Sequence, residues 1–248
     1  MEEYDHFIFI EEEYNVIEIN KYDVINRELN LSNKGLTKIP SDLPTNIISL
    51  DLSGNRIKKI KNDDLKNLFH LEKLYLNYNL INEIDIDAFK DLNSLYELYL
   101  SHNRIRIIKN DTFKSLNLLN ILNLSCNNLK DLKFLKNLYS LNELNLSYNN
   151  IVDLKIDYFD DLFKLRNLNL SYNYISKINE KIFSPLKLLK DLNLCHNLIE
   201  NVLDNTFKGL VLLKNINLKN NKIITYESKY SFKNILNVIY KFFLNLFM

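Results

Sequence analysis

Leucine and isoleucine recur along the chain in a fixed pattern with a period of about 24 residues. Residues 47–57 read IISLDLSGNRI and residues 71–81 read LEKLYLNYNLI. The same text returns as LYELYLSHNRI (95–105), LNILNLSCNNL (119–129), LNELNLSYNNI (141–151), LRNLNLSYNYI (165–175), LKDLNLCHNLI (189–199) and LKNINLKNNKI (213–223). Self-similarity at this period predicts a solenoid, in which each unit buries its apolar face against the next. The unit that begins at Leu119 is shorter, with about 22 residues.

Each unit contains a pair of leucines separated by one polar residue, as in Leu50 and Leu52. This alternation is typical of a short strand with one buried face. Stacked units place these strands side by side in a parallel sheet with a spacing of about 4.8 Å. The residue between the leucines then points away from the core. It is Asn30, Asp51, Tyr75, Tyr99, Asn123, Asn145, Asn169, Asn193 and Asn217 in successive units.

Two further positions of the repeat have a predicted structural role. An asparagine follows each strand where the chain must turn, and its amide can both donate to and accept from the buried backbone groups of the turn. These asparagines are Asn55, Asn79, Asn103, Asn127, Asn149, Asn173, Asn197 and Asn221. On the return side a phenylalanine recurs, and we expect the rings to stack as a spine. They are Phe89, Phe113, Phe159, Phe183 and Phe207, with Leu65 and Leu135 in the related places of two other units.

The pattern resembles the leucine-rich repeat family, and the phenylalanine on the return side resembles its "typical" subclass of about 24 residues per unit. Residues 29–44, LNLSNKGLTKIPSDLP, are similar to the N-terminal flanking cap of such proteins, although Leu31 stands where a cysteine commonly precedes the serine. The resemblance implies an α/β solenoid. We expect a right-handed arc with a concave parallel β-sheet, a largely irregular convex side and a C-terminal capping helix.

The chain divides into three predicted parts. Residues 1–25 form an N-terminal capping segment, in which FIFI at 7–10 and VIEI at 16–19 could add strands, or alternatively an acidic interaction arm. Residues 26–224 form the repeat domain of about nine units. Residues 225–248 contain an amphipathic helix from about Ser231, whose apolar side is broad. This helix either caps the last unit or contacts a second copy, a partner or a lipid interface.

The candidate binding residues are aromatic side chains on the predicted concave face. Tyrosine and histidine combine apolar area with a polar tip, as binding surfaces require. We therefore predict a binding site formed by Tyr75, Tyr78, Tyr99 and His102, with Tyr148 and Tyr172 in later units. The alternative is that LNLSYN is simply the consensus sequence of the repeat, propagated by duplication, so that its tyrosines have no binding role.

The sequence offers little for catalysis. His102 and His196 lie four units apart, about 20 Å by strand spacing, so they cannot share a metal. His6 and His70 have no metal-ligand spacing, and three scattered glycines exclude a glycine-rich phosphate loop. We expect no enzyme activity, no cofactor and no metal. The formal net charge of +1 also argues against a nucleic-acid partner that relies on broad phosphate contacts.

These observations favour a scaffold that binds a protein partner through the concave face. The runner-up is a membrane-associated or surface recognition protein held by the C-terminal helix, and a third possibility is an adaptor for an enzyme. Residues 1–15 lack the pattern of a secretory signal peptide, and Cys126 and Cys195 lie about 14 Å apart by strand spacing, too far for a disulfide. A reducing, cytoplasmic address is therefore expected.

Overall fold

The computed structural model describes residue 22 and residues 24–203, 205–223 and 225–226. Fourteen short strands occur in these residues, and one 3-10 helix, Lys133–Leu135, lies between β8 and β9. The strands are β1 Val24–Ile25, β2 Glu28–Asn30, β3 Ser49–Asp51, β4 Lys59–Ile60, β5 Lys73–Tyr75, β6 Glu83–Ile84, β7 Glu97–Tyr99, β8 Ile121–Asn123, β9 Glu143–Asn145, β10 Asn167–Asn169, β11 Asp191–Asn193, β12 Asn201–Val202, β13 Asn215–Asn217 and β14 Thr225–Tyr226.

The main sheet has ten strands in the order β1-β2-β3-β5-β7-β8-β9-β10-β11-β13. From β2 onward all neighbours are parallel, and equivalent residues of successive units lie opposite each other, as Leu74 lies between Leu50 and Leu98. Each three-residue strand has one buried residue flanked by two more exposed ones. The strands alternate because side chains of a strand point to opposite faces, so a single leucine per strand fills the core. The predicted parallel sheet of a leucine-rich repeat solenoid is thus confirmed.

The core is one continuous stack of leucine, isoleucine and phenylalanine side chains from Leu29 to Leu218. Phe89 and Phe113 are fully buried, with ring centroids 5.5 Å apart. A second group follows, in which Phe183 lies 5.7 Å from Phe159 and 6.1 Å from Phe207. The rings therefore form the spine that the repeat predicts.

A ladder of asparagine side chains closes the turn after each strand. Asn149 shows the pattern: its Nδ2 donates to the carbonyls of Leu146 and Leu124 at 3.1 and 3.0 Å, and its Oδ1 accepts from the backbone N–H of Leu129 at 2.9 Å. One amide thus satisfies backbone groups of its own unit and of the preceding one. The equivalent bonds are made by Asn55, Asn79, Asn103, Asn127, Asn173, Asn197 and Asn221.

The short unit departs from this regular stack. Its return side forms the 3-10 helix Lys133–Leu135, and the ring of Phe134 meets Phe113 edge-on at 5.8 Å. The expectation of a leucine at this level of the spine was therefore incomplete: Leu135 is buried, but Phe134 supplies the ring. Both Phe134 and Leu135 are buried in this turn.

A second, discontinuous ladder runs along the segment that follows each asparagine turn. There β4 pairs with β6 and β12 pairs with β14, both in parallel. Between them only an isolated bridge joins Asp153 and Lys177 among the described residues. This side of the solenoid is otherwise irregular in the part that the structure describes, as the resemblance implies.

The two ends differ in part from expectation. Val24 and Ile25, at the end of the predicted capping segment, pair antiparallel with β2 through a turn at Asn26 and Arg27, both with positive φ. Two residues with positive φ suit the tight hairpin turns that match strand twist. Thr225 and Tyr226 form a strand, so the segment 225–248 does not begin as a helix. The predicted helix at 231–248 and the predicted strands at 7–10 and 16–19 lie outside the described residues.

No helix within the described part of the chain is long and apolar enough to cross a membrane.

Candidate binding face

The outward side of the main sheet, here called the open face, consists of the residues at the start and end of each three-residue strand. A hollow of about 460 Å³ lies on it and extends from Tyr99 to Asn217. Two carboxylates, Glu143 and Asp191, line the hollow together with the amides of five strand-end asparagines, and none of the described basic side chains lines it. The hollow is therefore weakly anionic, with both amide and aliphatic side chains in its lining.

Tyr75 and Tyr99 end neighbouring strands and stack on each other. Their ring centroids are 5.0 Å apart and their planes differ by 8°. The Tyr99 hydroxyl donates to Glu97 Oε2 at 3.0 Å, and Glu97 forms an ion pair with Lys73 at 3.5 Å. Burial, followed by the bond to Glu97, raises the pKa of Tyr99 above its ordinary value, and burial raises that of Tyr75 as well. Both phenols are thus neutral donors at physiological pH.

The strand-end position has a structural role in the other units. Its carboxamide or carboxylate Oδ1 accepts a hydrogen bond from the backbone N–H two residues later, as Asn145 does from Ser147 at 3.0 Å. In four units the Oδ1 also accepts from the serine hydroxyl of the following turn, at 2.7 to 2.8 Å. The residues that make the backbone bond are Asn30, Asp51, Asn123, Asn145, Asn169, Asn193 and Asn217. Repetition of asparagine in this column thus has a folding explanation.

Tyr75 and Tyr99 cannot make this bond, and a third residue compensates for one of them. Asn77 Oδ1, from the preceding unit, accepts from the backbone N–H of Ser101 at 3.1 Å and from its hydroxyl at 2.9 Å. The preceding unit therefore supplies the hydrogen-bond acceptor for the turn after Tyr99. Asn77 stands where most other units have serine, and this substitution is the sequence signal for the compensation.

A second aromatic column lies just before the ladder asparagines and is here called the edge column. Its members other than Gly54 are Asn33, Tyr78, His102, Cys126, Tyr148, Tyr172, His196 and Asn220, each in the left-handed backbone region with φ between 54° and 57°. That conformation costs a residue with a side chain roughly 1–2 kcal/mol. Gly54 occupies the same position without that cost. The backbone conformation of this column therefore does not explain why aromatic side chains occur in it.

The rings of the edge column form two stacks separated by Cys126. Tyr78 and His102 lie 4.2 Å apart with planes inclined by 11°. Tyr172 lies 4.1 Å from Tyr148 and 4.0 Å from His196, so three rings stack in a row. Tyr78 is 61% exposed and Tyr148 is 51% exposed. The rings thus present an aromatic edge to solvent.

The predicted site residues are therefore brought together as pairs rather than as one cluster. Tyr75 stacks with Tyr99 on the strands, Tyr78 with His102 in the turns, and Tyr148 with Tyr172 farther along. His196 is not among the predicted site residues, yet it completes the longer stack, and its Nε2 is 2.7 Å from Asn220 Nδ2. The sequence signal for His196 is its repeat position, which it shares with Tyr148 and Tyr172, because the rings of this column stack on the equivalent residue of the next unit.

The remaining chemistry of the described residues is sparse. Cys126 is half-buried, Cys195 is buried, and both are free thiols whose pKa is raised by burial. Among the residues that the structure describes, no group of three or more histidine, cysteine or acidic side chains could hold a metal ion.

Comparison with known proteins places this geometry in a family. The leucine rich repeat model matches residues 45–105, 69–129, 119–175, 139–199 and 163–223. Decorin of Homo sapiens and decorin of Bos taurus are each 46% identical over 50 residues, which is 20% of this chain and 14% of the relative. The matched chain thus spans a small part of these relatives.

Solved structures share the fold. TLR13, in a structure titled as its complex with ssRNA13, is 35% identical with a TM-score of 0.66 over 70% of this chain and 26% of that one. The Leptospira interrogans LRR protein LIC12759 is 27% identical with a TM-score of 0.68, over 83% and 51% of the two chains. Human 5T4, the Wnt-activated inhibitory factor 1 or trophoblast glycoprotein, is 26% identical with a TM-score of 0.67, over 79% and 77%. The chain belongs to the leucine-rich repeat family.

Proposed function

We propose that the chain is a non-catalytic scaffold that binds a protein partner through the open face and the edge column. Leucine-rich repeat folds commonly serve as protein-binding scaffolds. The observation that carries the proposal is the replacement of the strand-end asparagine by Tyr75 and Tyr99. These two units lack a hydrogen bond that seven other units make, and they gain a stacked pair of rings instead. Aromatic residues are enriched where interfaces bind most strongly.

The edge column supports the same proposal. Its rings occupy a backbone conformation that disfavours side chains, and all of them except the half-buried His196 remain exposed. Stacking on a neighbour holds each ring in a fixed orientation, so a partner meets a rigid apolar edge with polar tips. Rigid aromatic contacts lose little conformational entropy on binding. The stacks therefore suit a partner surface of mixed apolar and hydrogen-bonding character.

The charge of the open face favours a protein over a nucleic acid. TLR13 is titled as a complex with ssRNA. In the part of this chain that the structure describes, however, Glu143 and Asp191 line the hollow and no lysine or arginine does. Binding to phosphate backbones depends on lysine and arginine contacts. An RNA strand along this hollow would lack them, so the nucleic-acid alternative is not supported by the lining.

The proposal also includes a reducing, cytoplasmic setting. Cys126 and Cys195 are free, and burial keeps both thiols largely protonated near neutral pH. Cell fractionation of the expressed chain tests this address separately from binding.

The test of the binding proposal compares two double variants as affinity baits in extracts of the source cells. Tyr75→Asn with Tyr99→Asn restores the residue that the repeat prefers and removes the stacked pair. Tyr139→Asn with Phe163→Asn removes another exposed stacked pair, 5.9 Å apart, on a different surface. The proposal predicts a protein captured by the parent and by the second variant but lost with the first. Equal capture by all three baits would refute it.

A further inference from the structure

A groove of about 1100 Å³ lies on the segment after the asparagine turn, away from the open face. It is formed where the regular unit at 95–118 meets the short unit at 119–140. The parallel pairing of β4 with β6 stops before this point, and the isolated bridge at Asp153 resumes after it. Among the described residues, the second ladder thus has a gap at the level of the groove.

An exposed isoleucine lies in the groove at a position that is charged in the two preceding units and in the following one. Ile107 is 75% exposed, and Ile86 nearby is also exposed. The equivalents of Ile107 in the two preceding units are Lys59 and Glu83, which form an ion pair at 2.8 Å. In the following unit the equivalent is Asp131, paired with Lys155 at 3.4 Å. The chain of ion pairs is therefore interrupted by an apolar contact site.

Positive charge surrounds this site. Arg106, Lys109, Lys130 and Lys133 line the groove, and none of the four forms an ion pair with another described residue. Two carboxylates also line it, Asp111 and Asp131, and the second is already paired with Lys155. The groove thus fits a ligand that carries branched or aromatic side chains together with several carboxylates.

The chain itself contains a segment of this composition. Residues 1–21 carry seven of the chain's 31 acidic side chains and only one of its 32 basic ones. The run FIFI at 7–10 is followed directly by Glu11, Glu12 and Glu13. Apolar and acidic side chains are therefore adjacent in this segment, as isoleucines and cations are in the groove.

We propose that the groove at the short unit binds the acidic N-terminal segment, residues 1–21, of the same chain. The groove follows β7 and β8, three to four strand spacings from β2, or about 14–19 Å. Twenty-one residues can span up to roughly 70 Å, so the segment reaches the groove from its attachment before β1. A covalent tether also gives the segment a high effective concentration at the groove. The charge pairing is surface electrostatics and weakens as salt screens it.

Zero-length carbodiimide cross-linking of the full chain tests the proposal, because it joins carboxylates to lysines that are in contact. Peptide mapping by mass spectrometry should find Glu11, Glu12 or Glu13 joined to Lys109, Lys130 or Lys133. Lys66, Lys164 and Lys208 are exposed lysines elsewhere and serve as internal controls. Mixing chains of two nitrogen isotopes separates links within one chain from links between copies. Links spread equally over the control lysines, or links only between copies, would overturn the proposal.

A second measurement does not depend on cross-linking chemistry. Acetylation rates of Lys109, Lys130 and Lys133 in the parent are compared with those in Glu11→Gln, Glu12→Gln, Glu13→Gln. The proposal predicts faster acetylation in the variant by about threefold, because a segment docked most of the time shields these amines. The matched control, Glu72→Gln, Glu180→Gln, Glu200→Gln, changes the net charge equally and should leave the rates unchanged. Equal rates in all three proteins would show that the groove serves another ligand or only solvent.

Discussion

Asn77 caps the turn of its neighbour by accepting hydrogen bonds from both the backbone N–H and the hydroxyl of Ser101. Elsewhere that acceptor belongs to the strand-end asparagine of the same unit. The relationship shows how the repeat tolerates Tyr99 on the open face. It also separates residues that the fold requires from residues that it merely accommodates, which is the distinction on which the functional proposal depends.

The asparagine ladder should be required for stability. Asn149→Ala removes bonds to Leu124, Leu146 and Leu129 and leaves those buried backbone groups unpaired, at a cost of about 1–3 kcal/mol. Urea unfolding followed by circular dichroism measures it. Asn150→Ala is the matched control, since no side-chain hydrogen bond of Asn150 occurs among the described residues. Equal urea midpoints for the two variants would show that the hydrogen bonds of the asparagine ladder do not contribute to the stability of the fold.

The phenylalanine spine should be equally sensitive. Phe159→Ala removes a fully buried ring that packs 5.7 Å from Phe183, and the resulting cavity should cost about 3–5 kcal/mol. Phe163→Ala, four residues later, truncates an exposed ring and should cost well under half as much. Thermal unfolding of both variants decides the matter. A spine variant that melts with the parent would contradict the packing described for the core.

Alkaline conditions should weaken the fold through Tyr99. Its pKa is raised in the folded chain by burial and by the bond to Glu97, so the unfolded chain ionises this phenol first. Stability therefore falls as the pH rises through the ordinary tyrosine pKa of about 10. Tyr99→Phe has no phenol to ionise, so its urea midpoint should fall less between pH 8 and pH 10.5. Tyr139→Phe is the control, and an identical fall in both variants would argue against the predicted shift.

The C-terminal residues should stabilise the β13 end of the solenoid. Within the described residues β13 has a main-sheet neighbour on one side only, and Val211 and Leu212, which precede it in the chain, are exposed. We expect residues 227–248 to cover this end, so a chain truncated after Tyr226 should melt at a lower temperature and bind a hydrophobic dye. If these residues serve instead as a lipid anchor, truncation leaves the melting temperature unchanged and abolishes binding to anionic liposomes.

The sequence predicts most of this fold because one residue pattern is repeated with its spacing intact. Leucine periodicity predicts the parallel sheet, and asparagine at the turn predicts the ladder, since each follows from burial or hydrogen bonding within one unit. Phe134 was missed because the short unit forms a 3-10 helix, which changes which of two adjacent residues supplies the ring. The strand at Thr225–Tyr226 depends on pairing with Asn201–Val202, a contact between units that the local amino-acid sequence does not predict.

The candidate site was predicted less completely. The positions of Tyr75, Tyr99, Tyr148 and Tyr172 in the repeat identify them as candidate binding residues. These positions do not show which of the rings stack on each other. The edge column separates from the open face because its residues adopt positive φ, and that conformation is unusual for tyrosine and histidine. The hydrogen bond from Ser101 to Asn77 joins the turns of two successive units, so it depends on the three-dimensional stacking of those units.

The dissociation constant of the captured partner for three proteins tests the central claim most directly. Tyr75→Asn with Tyr99→Asn should raise it by on the order of thirtyfold or more, the loss expected for about 2 kcal/mol of aromatic contact. The same variant should melt no lower than the parent, because asparagine returns the strand-end acceptor. Tyr139→Asn with Phe163→Asn should leave the dissociation constant within about twofold of the parent, as a neutral surface change does. A dissociation constant that is unchanged by the loss of Tyr75 and Tyr99 would contradict the account.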